Sequence, residues 1–180
     1  MKRIYIDDKL YHIAKDYAKD PFARRRKDFK RPPVLLQELY AALPEEDASY
    51  REYVQKIIDE YEDLNCLKPS EVARTKRKFD RILPEADLGK MFTIEGESAK
   101  FYDLIIKALR YDDLRKSDYI HNSGYLGLSI KTCVYCNAQL AVVLEKTAGG
   151  TQAKFQLDHI RPKSNYPFLA LSFFNLCPSC

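Results

Sequence analysis

The sequence has no apolar run approaching the roughly 18–20 residues that a membrane span needs. Its N-terminus, Met1-Lys2-Arg3-Ile4-Tyr5-Ile6-Asp7-Asp8, lacks the apolar stretch of a signal peptide. With six Gly and nine Pro in 180 residues it is neither collagenous nor low in complexity. A strong charge of either sign is also missing, since 30 basic and 26 acidic side chains leave a net +4. These absences exclude a membrane-spanning or secreted class, and leave a soluble globular chain expected in the cytoplasm. The small basic surplus points only weakly to a polyanionic partner.

Periodicity makes the first two thirds helical. Segment 8–18 places Leu10, Ile13, Ala14 and Tyr17 at helical spacing. Segment 34–43 starts after Pro32-Pro33 and stops at Pro44. Segment 49–64 carries a stripe of Tyr50, Val54, Ile57, Ile58, Tyr61 and Leu64, with Ser49 and Glu52 spaced for a capping box. Ser70 is placed to cap a basic helix ending at Leu83. Segment 98–112 has Phe101, Leu104, Ile105, Ala108 and Leu109 on one face, and 84–97 reads as a loop. The basic run Arg24-Arg25-Arg26-Lys27-Asp28-Phe29-Lys30-Arg31 is either a phosphate-binding strip or a solvated surface segment.

After about residue 120 the pattern changes. Asn122-Ser123-Gly124 and Gly127 lead to Cys133-Val134-Tyr135-Cys136. Ala138–Glu145 suits a strand, Gly149-Gly150 a turn, and Lys154–Leu157 a second strand ended by Pro162, the two pairing as an antiparallel hairpin. Pro167 can open a short helical segment through Ser172.

Four of the five cysteines stand at 133, 136, 177 and 180. In a reducing compartment such a group binds metal or does catalysis more often than it forms disulfides. Cys133 and Cys136 have the spacing of a zinc knuckle. Asp158-His159 follows, a pairing in which the carboxylate can hold a hard divalent cation and the neutral imidazole can take a proton from water. Cys66, His12 and His121 have no metal-ligating partner at helical spacing and read as structural. The 13 Tyr and nine Phe lie mostly on apolar stripes and read as core rather than base-stacking surface.

The order CxxC, hairpin, Asp158-His159-Ile160-x-Pro162, Asn175-Leu176, Cys180 resembles the HNH endonuclease family with its ββα-metal core. The stretch 157–176 is similar to a bacterial branch whose members often carry a helical N-terminal region, some of them in anti-phage defence systems. The resemblance covers roughly residues 131–180. With the helical periodicity upstream this gives an α+β expectation: a helical region at 1–125 and, from the resemblance, a small HNH nuclease domain at 126–180, incomplete at its C-terminus and held by structural Zn²⁺. It implies hydrolysis of phosphodiester bonds in nucleic acid, with DNA as the expected substrate. His159 would be the general base, Asp158 a ligand of a catalytic Mg²⁺ or similar ion, and Asn175 the residue that orients the loop and the His. Arg161 and Lys163 would lie near the phosphate backbone, or be ordinary surface charges.

Cutting both strands would take a homodimer or two successive nicks, and a protein partner in a defence system is a further expectation. The rival readings are a zinc-ribbon module that binds nucleic acid or a protein without cutting, and a redox protein using Cys133 and Cys136.

Two cysteine counts stay open. In zinc-ribbon members of the family the second CxxC begins five residues after the middle Asn. That position here is Cys180, so the resemblance implies a chain that stops in mid-motif and cuts poorly by itself. The other count uses Cys177-Pro178-Ser179-Cys180 to complete a four-cysteine site. Cys133, Cys136 and Cys180 are ligands under both, and Cys177 is the alternative ligand.

Overall fold

A computed structural model describes residues 6–23, 25–115, 132–138, 143–145, 151–153 and 156–180. Helix α1 (Asp8–Lys19) starts where the Asp7 carboxylate accepts a hydrogen bond from the Leu10 N–H at 2.8 Å, and it buries Leu10, Ala14, Tyr17 and Ala18. Helix α2 (Pro32–Ala42) begins on its two prolines, which have no N–H to leave unpaired in a first turn.

The stripe at 49–64 forms two helices, α3 (Ala48–Asp59) and α4 (Tyr61–Asn65), with the break at Glu60. The capping box is not formed. Asp47 is the N-cap residue, which puts Ser49 inside the first turn, and the Asp47 carboxylate is taken by Lys90. Helix α5 (Val72–Ile82) follows Glu71 rather than Ser70 and buries Phe79.

The segment expected as a loop holds regular structure. A 3-10 turn at Glu85–Gly89 leads into β1 (Met91–Ile94), which pairs antiparallel with β2 (Glu97–Lys100). Glu95 (φ 52°) and Gly96 (φ 83°) form the two-residue turn. Positive φ at both positions matches the right-handed twist of a hairpin. Strands of four residues with one buried side chain, Phe92, carry little periodic signal. Residues 98–100 therefore belong to β2, and the expected helix 98–112 becomes α6 (Phe101–Ala108) and α7 (Tyr111–Arg115). Between them Arg110 adopts φ 59°, a left-handed conformation that stops a helix.

The C-terminal strands pair differently from expectation. β3 (Val143–Glu145) pairs antiparallel with β4 (Thr151–Ala153), and Lys154 and Phe155 of the expected second strand lie outside the described residues. β5 (Gln156–His159) pairs instead with β6 (Leu176–Ser179), in the register Asp158↔Cys177 and His159↔Leu176. The molecule is thus α+β, with seven α-helices and three two-stranded antiparallel sheets among the described residues. Asn122-Ser123-Gly124, Gly127 and Gly149-Gly150 lie outside the described residues. No described helix is long and apolar enough to cross a membrane.

Between β5 and β6 the chain makes two 3-10 turns, Pro167–Leu169 and Phe173–Asn175, in place of one helical segment. Phe168, Leu169, Ala170 and Leu171 are buried against the helices. The Phe168 ring stacks on Phe79 of α5 with centroids 4.1 Å apart. Tyr17 of α1 donates to the Leu171 carbonyl at 2.7 Å, and Tyr111 of α7 to the Leu157 carbonyl at 2.6 Å. One hydrophobic cluster runs from Leu10 to Leu176. The apolar 167–173 segment is a plug that packs into the same core as the helices that precede residue 125.

Candidate metal centre and candidate active site

The knuckle is a tight turn at 133–136. The Asn137 N–H donates to the Cys133 carbonyl at 2.9 Å, and Asn137 takes the positive φ (55°) at which Asn is tolerated. The Val134 N–H donates to the Pro178 carbonyl at 3.3 Å, which fastens the knuckle to β6. The sulfurs of Cys133, Cys136 and Cys180 all lie within 4.8 Å of one another, and those of Cys136 and Cys180 are 4.0 Å apart. Four thiolates around zinc at about 2.3 Å would sit about 3.8 Å apart, so the three sulfurs fit such an ion. Backbone N–H groups of Cys136, Cys180 and Tyr135 stabilise the Cys133 thiolate and lower its pKa to about 6. The neighbouring Cys133 and Cys136 sulfurs push the Cys180 thiol the other way. A soft cation relieves that crowding of negative charge.

Cys177 is outside this group. Along an extended strand successive side chains alternate faces, so cysteines three apart at 177 and 180 point to opposite sides. The same spacing at 133 and 136 converges because that segment is a turn. The buried Cys177 thiol donates instead to the Tyr135 hydroxyl at 3.4 Å. Cys177, the alternative ligand, does not lie in this group. Three thiols form the group, and among the described residues no fourth ligand joins them.

His159 ends β5 half-buried. Its Nε2 lies 2.9 Å from the Ala170 carbonyl oxygen, which can only accept, so Nε2 carries the hydrogen and Nδ1 keeps its lone pair. The ring packs on Tyr111 with centroids 4.5 Å apart. Burial, with the nearby Lys163 charge, lowers its pKa to about 4, against the hydrogen bond to Ala170 and the Asp158 charge, which raise it. The imidazole is neutral at pH 7.

Asn175 spans the loop that holds this arrangement. Its Oδ1 accepts from the Arg161 N–H at 2.7 Å, and its Nδ2 donates to the Leu169 carbonyl at 3.1 Å and the Arg161 carbonyl at 3.3 Å. Its own carbonyl accepts from the Ile160 N–H at 2.9 Å. One buried amide thus fixes the exit from β5 and the turn that presents Ala170 to His159.

Asp158 is exposed. Its Oδ2 accepts from the Tyr135 hydroxyl at 3.0 Å. A single carboxylate suits a cation completed by water and substrate phosphate rather than by a protein cage. Asp158 and His159 are adjacent on a strand, so their side chains leave β5 on opposite faces. Beside the thiols, the described residues contain no further close group of three metal-ligating side chains.

Lys163 Nζ sits 4.4 Å from the centroid of the Tyr111 ring, on the aromatic that packs on His159. The Arg161 guanidinium is 5.9 Å from the Tyr166 ring. A cleft of about 730 Å³ opens beside Lys163 and Tyr111, and its lining is of mixed charge, with Asp103, Asp112 and Asp113 alongside Arg110 and Lys163.

The basic run is partly engaged in pairs with other segments, although Lys30 is itself exposed. Arg25 donates to the Asp113 carbonyl at 2.9 Å, Lys30 pairs with Glu38 at 2.7 Å, and Arg31 with Asp20 at 3.0 Å. Arg26 and Lys27 remain exposed, and Arg24 lies outside the described residues. His12 is exposed, Cys66 is half-buried, and His121 lies outside the described residues. Periodicity found neither Tyr111 nor the Ala170 carbonyl, because both reach His159 through tertiary packing. Tyr135 was in view inside the CxxC, but its partners come from strands 20 or more residues away.

Comparison with protein-family models, with curated proteins and with solved structures finds no match to this chain.

Proposed function

We propose that the chain carries a metal-assisted nuclease site of the HNH type, which hydrolyses phosphodiester bonds in nucleic acid, with DNA as the first substrate to test. One observation carries the reading: a neutral, half-buried His159 whose Nε2–H is held by the Ala170 carbonyl, in a loop tied by Asn175. That hydrogen bond selects the tautomer with a free Nδ1 lone pair, the form a general base needs.

The base takes a proton from water, the water oxygen bonds to phosphorus, and the P–O bond to the leaving sugar oxygen breaks. Lys163 supports the same step. A phosphate drawn to its ammonium cancels part of the field that holds His159 neutral, and the imidazole becomes more basic where the proton is taken. Asp158 would hold Mg²⁺ or a similar ion, which when bound supplies charge neutralisation at the scissile phosphate and leaving oxygen. The three-thiol centre would hold Zn²⁺ and fix the knuckle against β6. A double-strand cut would need a homodimer or two nicks, and a place in anti-phage defence rests on the family resemblance.

The second reading is a zinc-ribbon module that binds nucleic acid or a protein without cutting. It is favoured by the opposite faces of Asp158 and His159.

Nicking of supercoiled plasmid with Mg²⁺ or EDTA, beside His159→Ala, separates them. Cleavage that needs both the ion and His159 supports the nuclease; cleavage that survives His159→Ala overturns the base assignment. Binding of plasmid without any nicking supports the module.

A further inference from the structure

Tyr135 is half of the spacer in the CxxC, a position whose side chain has no part in the thiol group. Its place in the fold is specific. The ring projects from the knuckle onto the β5–β6 ladder, where Asp158 and Cys177 are directly opposite partners. Directly opposite residues of an antiparallel pair share one face of the sheet. The phenol sits on that pair: it donates to Asp158 Oδ2 at 3.0 Å and accepts from the Cys177 thiol at 3.4 Å. A hydroxyl has one hydrogen to give, and the buried Cys177 thiol donates into it, which leaves Asp158 as the acceptor of the phenol hydrogen. At its other end the Tyr135 backbone is part of the turn that carries Cys133 and Cys136, and the Val134–Pro178 hydrogen bond fastens that turn to β6. The ring is 40% exposed, so packing alone does not explain its position.

We infer that Tyr135 is a positioning residue for Asp158, and that it couples the three-thiol centre to the divalent-cation site. This rests on the reading of Asp158 as the cation ligand. The phenol occupies one carboxylate oxygen and thereby aims the other; the knuckle fixes the phenol, and the thiol-bound ion fixes the knuckle. Outer-shell hydrogen bonds of this kind typically change metal affinity by about 10–100-fold. The zinc centre is then more than a staple: whether it is loaded sets how tightly the second ion is held some residues away.

The test is a Mn²⁺ titration followed by electron paramagnetic resonance, on zinc-loaded protein with zinc content matched by atomic absorption. It compares wild type, Tyr135→Phe and Asp158→Asn. Phe keeps the ring and removes only the hydroxyl, so melting should be unchanged; if the variant binds less zinc, it is reconstituted to the wild-type content before titration. The expected result is a Kd for Mn²⁺ raised about tenfold or more by Tyr135→Phe, and at least as much by Asp158→Asn. A change of less than about threefold in Tyr135→Phe, with the loss in Asp158→Asn intact, overturns the coupling and leaves the nuclease reading standing. Unchanged binding in Asp158→Asn overturns the Asp158 assignment and the inference with it. Zinc removal from wild type should weaken Mn²⁺ in the same direction as Tyr135→Phe, and unaltered affinity there also overturns the coupling.

Discussion

At the scale of single residues, His159 connects the candidate chemistry to stability. Its pKa is lowered in the folded state from 6.5 to about 4, so the unfolded chain binds the proton more readily. Its contribution is complete above pH 6.5 and is lost as the pH falls toward 4. The difference is up to about 3 kcal/mol. His159→Gln keeps an N–H for the Ala170 carbonyl without a titrating ring. The acid-side fall in Tm should therefore be shallower in this variant than in wild type; parallel curves would refute the burial argument. Under the nuclease reading, His159→Ala should lower the nicking rate by about 10²–10⁴-fold with Mg²⁺ present. Asn175→Ala leaves the Arg161 N–H without its side-chain acceptor and should cost about 1–3 kcal/mol in urea unfolding, together with most of any cleavage.

At the scale of elements, the plug at 167–173 and the knuckle at 133–136 are held by different forces. The plug is packed: Phe168 stacks on Phe79, and both are buried. Phe168→Ala should destabilise the whole fold by about 3–5 kcal/mol, measurable as a lower denaturation midpoint with an unchanged slope. The knuckle is fastened by the Val134–Pro178 backbone bond and by the Tyr135 hydroxyl on Asp158 and Cys177, beside the three gathered thiols. Chelation of zinc, or Cys133→Ser, should raise hydrogen exchange in 132–138 and at the β6 end, while α1 to α7 stay protected. Exchange that rises equally in the helices would show that the metal centre supports the entire core. The β1–β2 hairpin shows how short elements escape pattern reading. Its signal is a two-residue turn at Glu95-Gly96, not a period.

At the scale of the whole molecule, the helical region and the candidate catalytic unit share one core. Tyr17, Phe79 and Tyr111 reach across from α1, α5 and α7 to Leu171, Phe168 and Leu157. Residues 126–180 expressed alone with zinc should fail to fold, since the face of Phe168, Leu169 and Leu171 would be left in water. A dispersed amide spectrum from that fragment would support an independent unit from residue 126. The shared core also places Tyr111 on His159, so the helices shape the environment that keeps the imidazole neutral.

The sequence by itself determined the helical character of most of residues 8–83 and of 101–112, the α+β class, the knuckle at Cys133 and Cys136, and the positions of Asp158, His159 and Asn175. Those features are written in local spacing: apolar residues three and four apart, two thiols across a turn, a carboxylate beside an imidazole. Tertiary structure alone decided that β5 pairs with β6 rather than with the preceding strand, that Cys177 turns away from the thiol centre while Cys180 joins it, and that Ala170 and Tyr111 hold His159. Each of these joins positions 10 to nearly 50 residues apart. Such contacts form only when the buried apolar surface of plug and helices outweighs the chain entropy of closing the loops between them, and no short-range period encodes that balance.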